Sequence, residues 1–209
     1  MIETSAIQLS QLLITKLCHD IVGPIGAINN GIEFLQEADG MEKEAISLIT
    51  DSSSQAISRI QFYRYLYGMQ KEQESVNLDD KKSLAESFYA QSKVRLEWHD
   101  TFHTKIVNIP PEALRIACNL ILIAAASLVR GGLVIISFES NNELQIKAVG
   151  THVILHENVQ SILRDENIHA ADTSNVQVVY TKMLIAKQHG MLKFNLSSDV
   201  LELHYVLAI

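Results

Sequence analysis

The sequence predicts an α+β protein in two parts. An N-terminal antiparallel helical hairpin over residues 1–70 pairs with a second copy as a dimeric four-helix bundle, and a two-layer α/β sandwich follows over residues 78–209. Three observations predict this. Apolar residues recur at helical spacing through two long segments that end at Gly68. A polar stretch, Met69 to Asn77, with Lys71, Glu72, Gln73, Glu74 and Ser75, reads as a linker. Beyond it, strand-like segments joined by Ser, Asn and Asp turns are interspersed with helical ones, the pattern of helices packed on one face of an antiparallel sheet.

The first helix runs from about Ser5 to Glu37 and breaks at Ala38-Asp39-Gly40, where glycine is the stop signal. Its apolar stripe is Leu13, Leu17, Ile21, Ile25, Ile28, Ile32 and Leu35. The second helix carries Ile46, Ile49, Ser53, Ala56, Ile60, Tyr63 and Tyr67 in three-four alternation, the seam of a helix packed along another. A short turn makes the pair an antiparallel hairpin. Because a lone hairpin leaves much of its apolar surface in water, two chains are expected to close the bundle with twofold symmetry.

In the second part, Leu78 to Lys93 reads as a helix and Val94 to Trp98 as a strand; Pro110-Pro111 opens a long apolar helix through Val129. Leu133–Glu139 and Glu143–Val149 form a hairpin around Ser140-Asn141-Asn142. Helices near Leu155–Leu163 and Asn175–Gln188 lead to a last hairpin, Met191–Leu196 and Val200–Ala208.

Composition narrows the function. With 47% hydrophobic and 20% charged residues the chain builds a packed core. A net charge of −7 without a Lys/Arg cluster argues against nucleic acid as a partner. Cys18 and Cys118 match no metal-ligand spacing and read as reduced thiols. No secretory signal opens the chain, and the apolar run Ile116–Val129 is too short to span a bilayer, so a cytoplasmic protein away from membranes is expected. His152 and His156 stand four apart beside Glu157 but lack further ligands, so no metal site is expected.

One stretch carries chemistry. At about 100° per residue, His19 lies almost opposite the apolar stripe and so points away from the core. Lys16, Gly23, Gly26 and Asn30 share its face, with Asp20 and Ala27 to one side. Two helical glycines each cost up to about 1 kcal/mol relative to alanine, and Pro24 removes a backbone hydrogen bond. Such residues fit a bare strip on which another protein lies while its reactive group reaches the imidazole. Asp20 then orients the ring or accepts a proton from its second nitrogen. Folding the hairpin brings His19 level with about Ile60, so Arg59 and Arg64 are placed to flank this face and attract an acidic partner.

His19-Asp20-Ile21-Val22-Gly23-Pro24 resembles the H-box of dimeric sensor histidine kinases, His-Glu/Asp-aliphatic-x-x-Pro. The order of elements extends this resemblance over nearly the full length, the second part resembling a histidine-kinase ATPase domain. Asn119 to Ala124 resembles the helix that carries nucleotide-binding asparagines, and Lys187 to Leu192 the end of the last helix. The nucleotide chemistry is missing. Ile123 replaces the magnesium-holding asparagine; Lys147-Ala148-Val149-Gly150-Thr151 lacks the adenine-binding carboxylate; Val176 to Tyr180 lacks the Gly-x-Gly phosphate turn.

A kept H-box hairpin on a stripped sandwich is similar to the ChpT-like histidine phosphotransferases of alphaproteobacterial phosphorelays, whose signatures Cys18 to Gly31 and Phe62 to Gly68 resemble. The resemblance implies a homodimer that accepts a phosphoryl group on His19 from one receiver domain's aspartyl phosphate and passes it to the aspartate of another. It implies no cofactor in this chain; Mg2+ is expected from the receiver, and the sandwich is expected to share the docking surface. Gly23 stands where many sensor kinases have a polar phosphatase residue, which argues against direct phosphatase activity. Two other classes fit the same architecture: a kinase with an altered pocket, which would bind ATP with magnesium, and a non-catalytic adaptor, which would not need His19.

Overall fold

The computed structural model describes residues 5–37, 40–68, 78–99, 111–140, 143–165 and 171–207. The linker, most of the hairpin turn, Pro110 and the Asn141-Asn142 turn lie outside them.

Helix α1 (Ala6–Glu37) and helix α2 (Glu42–Tyr67) form the hairpin. Ser5 starts α1, its Oγ accepting from the Gln8 N–H at 3.2 Å. Gly40, at φ +88°, turns the chain after it. The helices approach closely at Gly31, where an added Cβ would stand 2.6 Å from Ile49 Cγ1 and 3.2 Å from the Ala45 carbonyl oxygen. The apolar stripe of α1 divides into two. Leu13, Leu17, Ile21 and Ile28 are partly covered, while Ile25, Ile32 and Leu35 remain exposed by 39 to 52%, as do Ile7 and Ile14 outside the stripe, by 72 and 60%.

Helix α3 (Leu78–Tyr89) and strand β1 (Val94–Trp98) open the sandwich. Helix α4 (Pro111–Ala126), strands β2 (Gly132–Ser140) and β3 (Glu143–Val149), helices α5 (Glu157–Leu163) and α6 (Val176–Lys187), and strands β4 (Met191–Leu196) and β5 (Val200–Val206) follow. The sheet order is β1-β2-β3-β5-β4. Strand β1 pairs with β2 in parallel, Leu96 opposite Val134, so the sheet is mixed and not purely antiparallel as the hairpin signals alone imply. A parallel pair needs a crossover, and α4 supplies it.

Alternation does the rest. Leu144, Ile146 and Ala148 of β3 face the core with Leu201, Leu203 and Tyr205 of β5, while Lys147 and Glu202 pair at 2.9 Å on the outer face. Helix α4 is buried on all sides from Ile116 to Ala125. Each fully buried Leu or Ile there contributes about 1.5–3 kcal/mol. The core is continuous with the hairpin, because Phe62, Tyr63 and Leu66 of α2 pack into it.

Candidate functional site

The site begins with a proline. Pro24 sits inside α1 and has no N–H, so the Asp20 carbonyl, four residues earlier, lacks its helical donor. Arg59 of α2 supplies one, its Nη1 donating to that oxygen. One turn further along α2, the Tyr63 hydroxyl donates to Asp20 Oδ2, to which Lys16 Nζ also donates at 3.1 Å. The other oxygen, Oδ1, lies 3.2 Å from His19 Nδ1. The His19 side chain itself is 87% exposed and that of Asp20 22%.

Electrostatics follows from these contacts. Burial on its own raises the Asp20 pKa, but the hydrogen bond from Tyr63, the Lys16 charge and the bonds from His19 and Lys16 together outweigh it, and the carboxyl is held below its usual range. Burial pushes the Tyr63 phenol upward, and the adjacent Asp20 carboxylate pushes it further, so Tyr63 stays a proton donor.

Around His19 the surface is open. An added Cβ at Gly23 or Gly26 meets nothing within 4 Å. Asn30 is exposed beside them and Ala27 is half-buried. Arg64 is exposed; Arg59 turns inward to the Asp20 carbonyl, so its guanidinium serves the hairpin itself. Lys16 likewise is held by Asp20, at 27% side-chain exposure. A cleft of about 330 Å³ lies between hairpin and sandwich, bounded by Lys16, Asp20 and Tyr63 on one side and Ile123, Ile154 and Gln177 on the other. Tyr63 is the residue that periodicity missed: a tyrosine on a helix seam reads as packing, and its bond to a residue on another helix leaves no mark in spacing.

The residues that resemble a nucleotide pocket are engaged elsewhere. Asn119 is fully buried; its Nδ2 donates to the Arg115 carbonyl and its Oδ1 accepts from Gln177 Nε2, both at 2.7 Å. Gln177 Oε1 in turn accepts from the Tyr67 hydroxyl of the hairpin. Tyr180 donates to the Leu66 carbonyl at 2.8 Å, and the Tyr67 and Tyr180 rings meet edge to face at 5.2 Å. The segment Val176 to Tyr180 is thus a helical turn fastened to the hairpin. Ile123 is buried. His152 and His156 precede α5 in non-helical chain, so the four-residue helical spacing is not formed. Among the described residues no group of three or more His, Cys, Asp or Glu is placed to hold a metal ion. Cys118 is buried, which pushes its thiol up to about 12.

Fold and site together define an α+β protein in which a helical hairpin presents an exposed histidine and is joined to an α/β sandwich. Residues 78–200 match the family described as the histidine phosphotransferase C-terminal domain, more than half of the chain, and the chain belongs to the histidine phosphotransferase family. It is 32% identical over 143 residues to Protein phosphotransferase ChpT of Brucella abortus (strain 2308). That match covers 68% of this chain and 66% of the relative, just under two thirds of the relative's length. A solved structure described as a bacterial phosphotransferase has a TM-score of 0.81 at 25% identity, with 98% of each chain covered. No helix among the described residues is long and apolar enough to cross a membrane.

Proposed function

We propose that this chain is a histidine phosphotransferase of a two-component phosphorelay, acting in the cytoplasm and moving a phosphoryl group between receiver-domain aspartates through His19. The observation that carries the reading is the exposed imidazole whose Nδ1 faces Asp20 Oδ1 at 3.2 Å. With the proton kept on Nδ1, the Nε2 lone pair is the nucleophile.

The reaction balances without a resident cofactor. Nε2 attacks phosphorus, the acyl-phosphate P–O bond breaks, and the donor aspartate leaves as a carboxylate. In the second half the carboxylate of another receiver attacks phosphorus, the P–N bond breaks, and neutral imidazole returns. Both phosphorylated species are energetic, so the protein contributes chiefly position. Magnesium comes with the receiver's acidic pocket.

The surroundings support partners of this kind. The strip over Gly23, Gly26, Ala27 and Asn30 admits a receiver helix, with Lys16 and Arg64 at its margins, and the cleft beside Asp20 gives the sandwich a share of the contact. The exposed Ile7, Ile14, Ile25 and Ile32 suit pairing with a second copy as a homodimeric four-helix bundle.

Mixing the protein with a purified receiver in its aspartyl-phosphate form tests the reading. An acid-labile, alkali-stable phosphate on His19, lost in His19→Ala, is expected; label on another residue overturns it. Magnesium-dependent ATP binding by calorimetry would favour a kinase, and phosphate flow sustained by His19→Ala an adaptor.

A further inference from the structure

We infer that Tyr63 and Arg59 are positioning residues for the phosphoacceptor, which hold Asp20 by side chain and main chain and through it aim the imidazole of His19. The inference rests on the phosphotransfer reading and extends it to two residues whose hydrogen bonds go to Asp20.

The two lie four apart, on one face of α2, opposite the turn of α1 that carries Asp20. Tyr63 is itself rigid. It is 2% exposed, stacked on Tyr67 at 5.5 Å and 11°, and met edge-on by Phe88 at 5.6 Å. A phenol so wedged offers its proton in a fixed direction. Arg59 grips the carbonyl that Pro24 leaves without a helical donor, so the backbone at Asp20 is tied as well.

The consequence is a division of labour between the carboxylate oxygens. Tyr63 and Lys16 occupy Oδ2 on the buried side, and Oδ1 is left for His19 Nδ1. Lys16 alone would hold Asp20 loosely, since an ion pair between neighbouring turns of one helix contributes little and its stem is mobile. With Oδ1 aimed by the phenol, the imidazole keeps its proton on Nδ1 and presents Nε2 outward. The same carboxylate faces the charge that the ring acquires when Nε2 is phosphorylated.

The test compares the unchanged protein with Tyr63→Phe, which keeps the ring and its packing, and with Arg59→Met, Asp20→Asn and the Tyr63→Phe/Asp20→Asn pair. Phosphorylation of His19 is followed at saturating phospho-receiver, and the tautomer of the His19 ring is read from its 15N chemical shifts. Tyr63→Phe is expected to slow transfer about tenfold, as loss of a positioning contact does, with the receiver KM unchanged. Its ring nitrogens are expected to shift toward mixed tautomers, and the double variant is expected to be no slower than Asp20→Asn. Arg59→Met is expected to act in the same direction. Native transfer rate and native tautomer in both Tyr63→Phe and Arg59→Met overturn the inference, as does a defect confined to KM. The two readings fail separately: an unchanged protein that takes no phosphoryl group on His19 overturns the phosphotransfer reading, while the ring shifts, which need no transfer, still decide the positioning.

Discussion

The hydroxyl of Tyr67, in the last turn of the hairpin, donates to Oε1 of Gln177, in the first turn of α6. Gln177 passes the connection to Asn119, and Asn119 to the Arg115 carbonyl. These polar groups join the sandwich to the helical hairpin that carries His19.

Removing the middle of that chain is costly for stability. Gln177→Ala leaves Asn119 Oδ1 buried without its donor and is expected to lower unfolding free energy by about 1–3 kcal/mol. Tyr67→Phe, which keeps the ring contacts, is expected to cost about 1 kcal/mol. Urea denaturation measures both; equal stability of all three proteins would mean the chain of bonds is not formed.

Opposite effects are expected at glycines of one helix. Gly26→Ala meets open space and is expected to raise stability by up to about 1 kcal/mol. Gly26→Leu is expected to fold equally well yet slow phosphorylation by a receiver about tenfold or more, because the strip beside His19 is filled. Gly31→Leu, by contrast, collides with Ile49 and the Ala45 carbonyl and is expected to unfold the hairpin at lower temperature. Thermal melts and transfer assays on the three variants separate the two roles.

A charge on the exposed stripe is expected to break the dimer. Ile25 and Ile32, 52% and 43% exposed in the single chain, lie on the face proposed for the second copy. Ile25→Asp with Ile32→Asp is expected to sediment at half the native mass with its sandwich intact. A native chain that sediments as a monomer would remove the bundle from the proposal.

Acid should reveal Asp20. Its folded-state pKa lies below the ordinary value, so the stability it contributes is present above the unfolded pKa, about 3.9, and is lost as pH falls through the folded value. Melting temperature is therefore expected to fall more steeply below about pH 4 in the native protein than in Asp20→Asn. Parallel acid profiles would mean the Tyr63 and Lys16 contacts do not hold the carboxylate.

Periodicity and local turn chemistry by themselves determined much of this protein. A three-four stripe defines which way each side chain of α1 points, and so places His19 opposite the stripe; the helical hairpin and the two β-hairpins, β2–β3 and β4–β5, are likewise written in neighbouring residues, whereas the pairing of β3 with β5 is not. What only the tertiary structure decided are relations between distant ones. Strand β1 runs parallel to β2, which no turn signal announces. Asp20 is held from 39 and 43 positions away by Arg59 and Tyr63, and Gln177 reaches Tyr67 across 110. A hydrogen bond between helices is a matter of where two chains come to rest, and the spacing within either one carries no trace of it.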